Sequence, residues 1–260
     1  MPSLEGVKKE YDDQATAYDD YLTTLPYGIM ETQLVGSALG DCTGARVLDL
    51  GGGTGARARQ ALAAGAAAVD IVDLSPEMLR IGESIEAALK RREGAVRWLV
   101  ADVSKPLDHL PLRREYDLVM ANWVLDHART VDELEGMWRN IAAYLRPGGR
   151  FVGVRSGNPR APCVANGEVK YGITYKDFVD VPGGVHFRFV VHSNPPIEFE
   201  ASSMEVSYSG STAMHEKFGL CEVETEPYEN AEIVRSDPEF WKLLIDDPSL
   251  IVVKAKKRLN

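Results

Sequence analysis

The chain has 260 residues, 45% hydrophobic and 26% charged, the makeup of a globular protein and not of a disordered, collagenous or disulfide-stapled one. Lys and Arg number 29 against 39 Asp and Glu, a net charge of −10, so no global positive field gathers phosphate backbones and general nucleic-acid binding is disfavoured. Cys42, Cys163 and Cys221 are too few and too far apart for a disulfide framework or a zinc knuckle, and read as buried thiols of a reducing compartment. The start of the chain carries charges where a signal peptide needs an apolar stretch, and no run approaches the roughly 20 apolar residues that span a bilayer. The expectation is a cytoplasmic protein that engages no membrane.

At the amino end, Tyr11 and Tyr18 lie seven residues apart within Tyr11-Asp12-Asp13-Gln14-Ala15-Thr16-Ala17-Tyr18-Asp19, which places both on one helical face. From residue 46 to residue 155, short apolar runs alternate with helical patterns. The runs are residues 47–50, 69–72, 96–100, 116–121 and 151–154. Between them, Ser75-Pro76 is a helix cap followed by proline at the first helical position. Thr130-Val131-Asp132-Glu133 fits a capping box. Leu134, Trp138, Ile141 and Leu145 then share one face of a helix that Pro147-Gly148-Gly149 ends. Strand and helix in alternation predict a parallel sheet covered on both sides.

The last hundred residues follow another rule. Residues 185–191 and 197–204 are β-rich, separated by the turn-prone Asn194-Pro195-Pro196. A helix near residues 211–218 ends at Gly219, a strand covers 220–225, and a final strand covers 250–255 after an acidic loop containing Trp241. The predicted fold class is α/β, with a β-rich insertion after the fifth strand. One domain is expected, with a helical cap (1–45), a cofactor-binding core (46–155), the insertion (157–203) and a sheet-completing segment (204–260).

Asp49-Leu50-Gly51-Gly52-Gly53-Thr54-Gly55 sits where the first strand turns into the first helix of the core. Glycines belong there because a ligand must approach the backbone too closely for Cβ atoms. The glycines alone cannot choose the ligand, since Gly51-x-Gly53-x-x-Ala56 also satisfies the dinucleotide fingerprint and Asp73 stands 20 residues after Gly53, where a ribose-binding acid is expected. Charge discriminates in part. Asp49, two residues before the first glycine, would repel a pyrophosphate and attract an ammonium and a sulfonium.

These residues, with Ala101-Asp102-Val103 ending the third strand, Tyr116-Asp117-Leu118-Val119 as the fourth and Leu145-Arg146-Pro147-Gly148-Gly149 before the fifth, resemble the class I S-adenosylmethionine-dependent methyltransferases over residues 10–155. The resemblance implies a Rossmann-like, doubly wound, mostly parallel seven-stranded sheet with an antiparallel last strand, in which Gly51 and Gly53 pack on the methionyl and ribose parts of S-adenosylmethionine and Asp49 faces its ammonium or methyl-bearing region. It implies further that Asp73 accepts from both ribose hydroxyls, Met78 covers the adenine face, and Asp102 with the Val103 N–H holds the adenine edge. Asn122 would border the reacting methyl. The Tyr11 to Asp19 segment is similar to the one with which many small-molecule members cover the cofactor, so either tyrosine hydroxyl is a candidate partner for the methionyl carboxylate or an adjacent group.

Methyl transfer from a sulfonium is an in-line displacement in which positioning supplies much of the acceleration and a proton acceptor is optional. His127, after the fourth strand, is the candidate base or acceptor-orienting group. His186, His192, Tyr171 and Tyr175 are candidate lining of the acceptor pocket. The fourth strand ends Ala121-Asn122-Trp123-Val124 and not Asn-Pro-Pro-Tyr, which makes planar amide acceptors less favoured. Asn122 with the more distant Asp126 supports a metal poorly, so no metal is expected. The implied function is methyl transfer to a small-molecule O, N or S acceptor, with the insertion either a lid or a homodimer interface. The alternatives are a nicotinamide-dependent oxidoreductase and a non-catalytic S-adenosylmethionine-binding protein.

Overall fold

The computed structural model describes residues 4–14, 21–89, 91 and 94–259. In chain order the elements are helices α1 (Leu4–Gln14), α2 (Tyr21–Thr24) and α3 (Pro26–Leu39), strand β1 (Arg46–Leu50), α4 (Ala56–Ala63), β2 (Ala68–Asp73), α5 (Pro76–Ala88), β3 (Val96–Val100), β4 (Tyr116–Asn122), α6 (Val131–Tyr144) and β5 (Leu145–Ser156). There follow α7 (Pro162–Ala165), β6 (Ile173–Val181), β7 (Gly184–Val191), β8 (Ile197–Met204), α8 (Glu205–Tyr208), α9 (Ala213–Lys217), β9 (Leu220–Thr225), α10 (Glu232–Ser236), α11 (Pro238–Asp246) and β10 (Leu250–Lys257).

Seven strands form one sheet in the order β3-β2-β1-β4-β5-β10-β9, and β6-β7-β8 form a second. The first five strands are mutually parallel, while β10 runs antiparallel to both β5 and β9. The predicted doubly wound sheet with an antiparallel last strand is therefore present, and that last strand sits between β5 and β9.

Alternation along the strands divides the core. Val47, Leu118, Met120 and Val152 pack with Met30 and Leu34 of α3 and Ala58 of α4 on one face. Leu48, Val119, Ala121 and Phe151 pack with Leu134, Trp138 and Ile141 of α6 on the other. Side chains of period two feeding helices on both faces are what a parallel sheet requires. The caps fall where expected: Ser75 Oγ accepts from the Met78 N–H at 3.0 Å, and Thr130 Oγ1 from the Glu133 N–H at 3.2 Å. Leu145, placed by its spacing on the helix, instead opens β5.

Two readings of the sequence need correction. The segment around Trp241 is a helix and not an acidic loop. Asp237 caps α11 by accepting from the Phe240 N–H at 3.1 Å, Pro238 takes its first turn, and Trp241 and Leu244 are buried. Strand β6 went unread because its alternation breaks: pairing with β7 shifts register between Lys176 and Val179, where Asp177 adopts a left-handed φ of 56°. A bulge of this kind flips later side chains to the opposite face and erases a period of two.

Candidate active site

Strand β1 delivers Asp49 and Leu50 to the edge of the sheet, and the chain turns there through Gly51, Gly53 and Gly55, with φ of 69°, 52° and 80°. A Cβ at Gly51 would stand 2.5 Å from the Val124 side chain, and one at Gly52 would stand 2.8 Å from Asp49 Oδ2. The loop is pinned by Gly51 N–H donating to the Val72 carbonyl at 2.7 Å and Gly53 N–H donating to Asp73 Oδ2 at 2.8 Å. It borders a cavity of about 1140 Å³.

Ten of the eleven candidate cofactor-binding and catalytic residues line this cavity: Tyr11, Asp49, Gly51, Gly53, Asp73, Met78, Asp102, Val103, Asn122 and His127. Tyr18 lies outside the described residues. Asp73 accepts from Gly53 with one oxygen and from the Ser75 N–H with the other, at 2.8 Å. Burial pushes its carboxyl up, and those backbone donors oppose the rise. Met78 is buried beneath the loop, its Cε 3.0 Å from where a Gly53 Cβ would stand. Asp102 accepts from the Ser104 N–H at 2.8 Å, which holds its carboxylate in a tight turn.

Three groups facing the cavity have polar atoms without partners among the described residues: Asp49 Oδ2, both the oxygen and nitrogen of the Asn122 amide, and His127 Nδ1. Burial, reinforced by the charge of Asp73 and opposed by that of Arg57, pushes the Asp49 carboxyl up to about 7. Buried polar atoms in native proteins almost always find a partner. These atoms, with the glycine cradle, fit a ligand that brings a cation and hydrogen-bonding groups to the end of β1.

Three further residues on the rim were not singled out in the sequence. Arg57 of α4 pairs with Glu31 of α3 and donates to Thr32 Oγ1 at 3.1 Å and to Gln60 Oε1 at 2.7 Å. The other Glu31 oxygen accepts from Trp123 Nε1 at 3.0 Å. Trp123 itself holds a left-handed φ of 63°, a strained backbone for a bulky residue and of the kind found where structure serves a site. The available signal was weak, since Arg57 sits in Ala-Arg-Ala-Arg, which reads as a solvated helix face.

Helix α1 bridges β8 of the second sheet and the start of α5. Gln14 donates to the Glu198 carbonyl at 2.8 Å and accepts from the Glu198 N–H at 2.9 Å. Glu10 accepts from the Glu200 N–H at 2.9 Å, and Ser75 Oγ donates to Asp12 at 2.5 Å. Tyr11 stacks on Phe199 with centroids 4.5 Å apart, and its hydroxyl lies 2.9 Å from His127 Nε2. The Tyr11 hydroxyl is thus engaged by the protein's own His127. Burial lowers the His127 imidazole to about 4, against a smaller pull from the Glu200 backbone, so the ring is uncharged at neutral pH.

A second cavity of about 420 Å³ opens on the far side of these residues. Tyr11, Tyr21, Trp123 and His127 line both cavities and form the wall between them. Tyr175, Phe187, Phe189, Phe199 and Ala201 of the second sheet supply the rest of the apolar lining, with Asp126 and Ser156 as its further polar members. Asp126 accepts from the Ser156 N–H at 3.0 Å and from Ser203 Oγ, and burial raises its carboxyl. Of the four lining candidates in the insertion, only Tyr175 borders this cavity. Tyr171 donates to the Phe240 carbonyl at 2.9 Å and stacks on Trp241. His186 is held between Ser202 and Glu200, and His192 pairs with Thr174.

Residues 47–149 match the family model for a methyltransferase domain. The strand order around the glycine cradle is the Rossmann-like methyltransferase fold that the solved structures below share. Among individual relatives, the demethylmenaquinone methyltransferase of Tropheryma whipplei (strain Twist) is 30% identical over 158 residues, covering 59% of this chain and 60% of that protein. Among solved structures, the CcbJ methyltransferase from Streptomyces caelestis superposes with a TM-score of 0.61 at 20% identity, over 96% of this chain and 98% of that one. The 1,6-didemethyltoxoflavin-N1-methyltransferase of Burkholderia thailandensis, solved with 1,6-didemethyltoxoflavin and S-adenosylhomocysteine bound, does so with a TM-score of 0.54 at 18% identity, over 96% and 87%. At these identities the structures speak for the fold.

Proposed function

We propose that the protein is a methyltransferase that uses S-adenosylmethionine in the larger cavity to methylate a small molecule seated in the smaller one. The observation that carries this reading is the shared wall: a glycine-cradled cavity with an orphaned carboxylate meets an aromatic cavity at Tyr11, Tyr21, Trp123 and His127. In-line displacement requires donor and acceptor to approach from opposite sides of such a boundary. The small-molecule acceptors named in the toxoflavin-type and menaquinone-type relatives support the same class of substrate.

In this reading the cofactor supplies an electrophilic methyl on sulfur, and the chain binds and orients it. Gly51 and Gly53 admit its backbone-hugging portion, Asp73 takes the ribose hydroxyls, and Met78, Asp102 and Val103 hold the adenine. Asp49 faces the ammonium, while Arg57, already set by Glu31, offers the nearby positive charge for the carboxylate. Asn122 borders the methyl. His127 is the proton acceptor for the acceptor group, working with the Tyr11 hydroxyl on its Nε2. An imidazole lowered to about 4 is a weak base, suited to taking a proton only after methyl transfer has made the acceptor strongly acidic. A dinucleotide is disfavoured because its phosphates would lie against the buried Asp49 and Asp73.

Isothermal titration with S-adenosylhomocysteine and with NADH tests the reading. Tight binding of the first and none of the second is expected, and the reverse would overturn it.

A further inference from the structure

One buried acid in the smaller cavity has no part in the chemistry above. Asp126 stands in the turn after β4, its own N–H donating to the Trp123 carbonyl at 2.9 Å, and it lines the cavity together with His127. Ser156 comes to it from the end of β5 and Ser203 from β8. The Ser156 N–H reaches one carboxylate oxygen at 3.0 Å and the Ser203 hydroxyl reaches the other. Two protein donors thus engage a group with about four acceptor positions.

The direction of the hydrogens decides what this part of the wall offers. Ser203 Oγ and Ser156 Oγ are 3.0 Å apart. Ser203 has one hydrogen and gives it to Asp126, which leaves the Ser156 hydroxyl as the donor between the two serines. Both hydroxyl hydrogens are used inside the group, so toward the cavity Asp126 and Ser156 present lone pairs. A ligand group seated there has to be a hydrogen-bond donor.

Charge makes that donor a cation. No Lys or Arg is among the described residues that line the cavity, and Asp126 is the acid among them. Burial raises its carboxyl against the pull of Ser203, Ser156 and Arg155; Arg155 lies outside the lining and donates to the Ser156 carbonyl at 3.0 Å. The same charge is felt on the opposite strand, where burial pushes the Tyr175 hydroxyl up and Asp126 and Glu31 add to the rise. An amide would hold the Ser156 N–H without the cost of burying an acid, whereas an arriving ammonium favours the carboxylate. Most of the remaining lining is aromatic, and rings, unlike aliphatic side chains, attract a cation. An anion would meet lone pairs and a like charge.

Resting on the methyltransferase reading above, we infer that Asp126 determines acceptor specificity, and that the acceptor carries an ammonium group that seats on Asp126 and Ser156. A protonated nitrogen has no lone pair with which to attack a methyl. The group methylated is therefore a second, uncharged one, placed at His127, the next residue in the same turn.

Three probes of one frame test this: 2-phenylethylamine, 2-phenylethanol and phenylacetate, whose polar ends are a cation, a neutral hydroxyl and an anion. Calorimetry and saturation-transfer NMR at neutral pH should show the amine bound at least about 10-fold tighter than the alcohol, and the alcohol tighter than phenylacetate. The amine's methylene protons should give NOEs to the Tyr175 and Phe187 rings. Asp126→Asn should bring the amine to within about 3-fold of the alcohol, with S-adenosylhomocysteine affinity as in the wild type. Glu239→Gln, which neutralises an exposed acid of α11, should change none of the three, separating the cavity from the general attraction of a chain of net charge −10. Equal affinity for amine and alcohol, a preference for phenylacetate, or absence of those NOEs overturns the inference whether or not Asp126→Asn folds. An amine preference that survives in Asp126→Asn does so too. Failure of S-adenosylhomocysteine to bind would instead overturn the cofactor reading, and the probe order on the protein alone would still decide what Asp126 selects.

Discussion

Asp49 is the residue whose ionisation the cofactor should read. Its carboxyl sits near 7 because it is buried beside Asp73 with only Arg57 to offset them. Below that pH the free protein holds the proton, and an arriving ammonium must expel it. Affinity for S-adenosylhomocysteine should therefore climb as pH rises from 5.5 to about 7, by at most about tenfold per unit, and level off above. Calorimetry across that range checks it: Asp49→Asn should flatten the profile, and a flat wild-type profile would remove Asp49 from the ammonium. Asp73→Ala should cost on the order of 1.5–3 kcal/mol of cofactor affinity, the range for hydrogen bonds to a charged group, and an unchanged affinity would take Asp73 off the ribose. His127→Ala should lower turnover by less than about 100-fold, since a proton taken after methyl transfer lies outside the transition state to which general-base factors of 10²–10⁴ belong, with cofactor affinity preserved. Tyr11→Phe keeps the stack on Phe199, so any fall in turnover reports the hydroxyl alone. Gly51, Gly53, Asp73 and Asp102 could be read from the sequence because the turn after a strand constrains both residue type and spacing. Arg57, Glu31 and Trp123 could not, because what defines them is a pairing between α3, α4 and the end of β4 that no local pattern records.

At the scale of elements, α1 acts as a strap fastened to β8 by Gln14 and Glu10 and to the start of α5 by Asp12. Gln14→Ala removes two hydrogen bonds to the Glu198 backbone, worth about 1 kcal/mol each. Amide exchange across residues 4–14 should quicken by about tenfold or more while the global melting temperature barely moves. Unchanged exchange would show the strap held elsewhere. Strands β1, β2 and β4 were legible because buried parallel strands read as apolar runs. By contrast, β6 was hidden by its bulge at Asp177. The α11 signals, Asp237-Pro238 followed by Trp241 and Leu244 at a spacing of three, were present but lay among Glu239, Asp246 and Asp247, whose charges read as a loop.

Across the whole molecule, buried histidines tie stability to pH. His215 packs edge-on against Trp138 at 4.6 Å, neither ring nitrogen has a partner among the described residues, and burial lowers it to about 4, with Arg155 adding to the effect. The unfolded chain protonates this histidine near 6.5 and the folded one only near 4, so its contribution is full above pH 6.5 and is lost as pH falls toward 4. His215→Leu should thus gain on the wild type by on the order of 3 kcal/mol between pH 7 and pH 4, read as the difference between denaturant midpoints. A pH-independent difference would contradict the assignment.

The account as a whole stands on two ligands meeting across one wall. A crystal structure of the protein soaked with S-adenosylhomocysteine tests this most directly. The ribose should lie on Asp73, the amino group toward Asp49, and the sulfur against the wall of Tyr11, Trp123 and His127 with the smaller cavity beyond it. A ligand seated outside the cradle, or with its sulfur turned away from that wall, would contradict it.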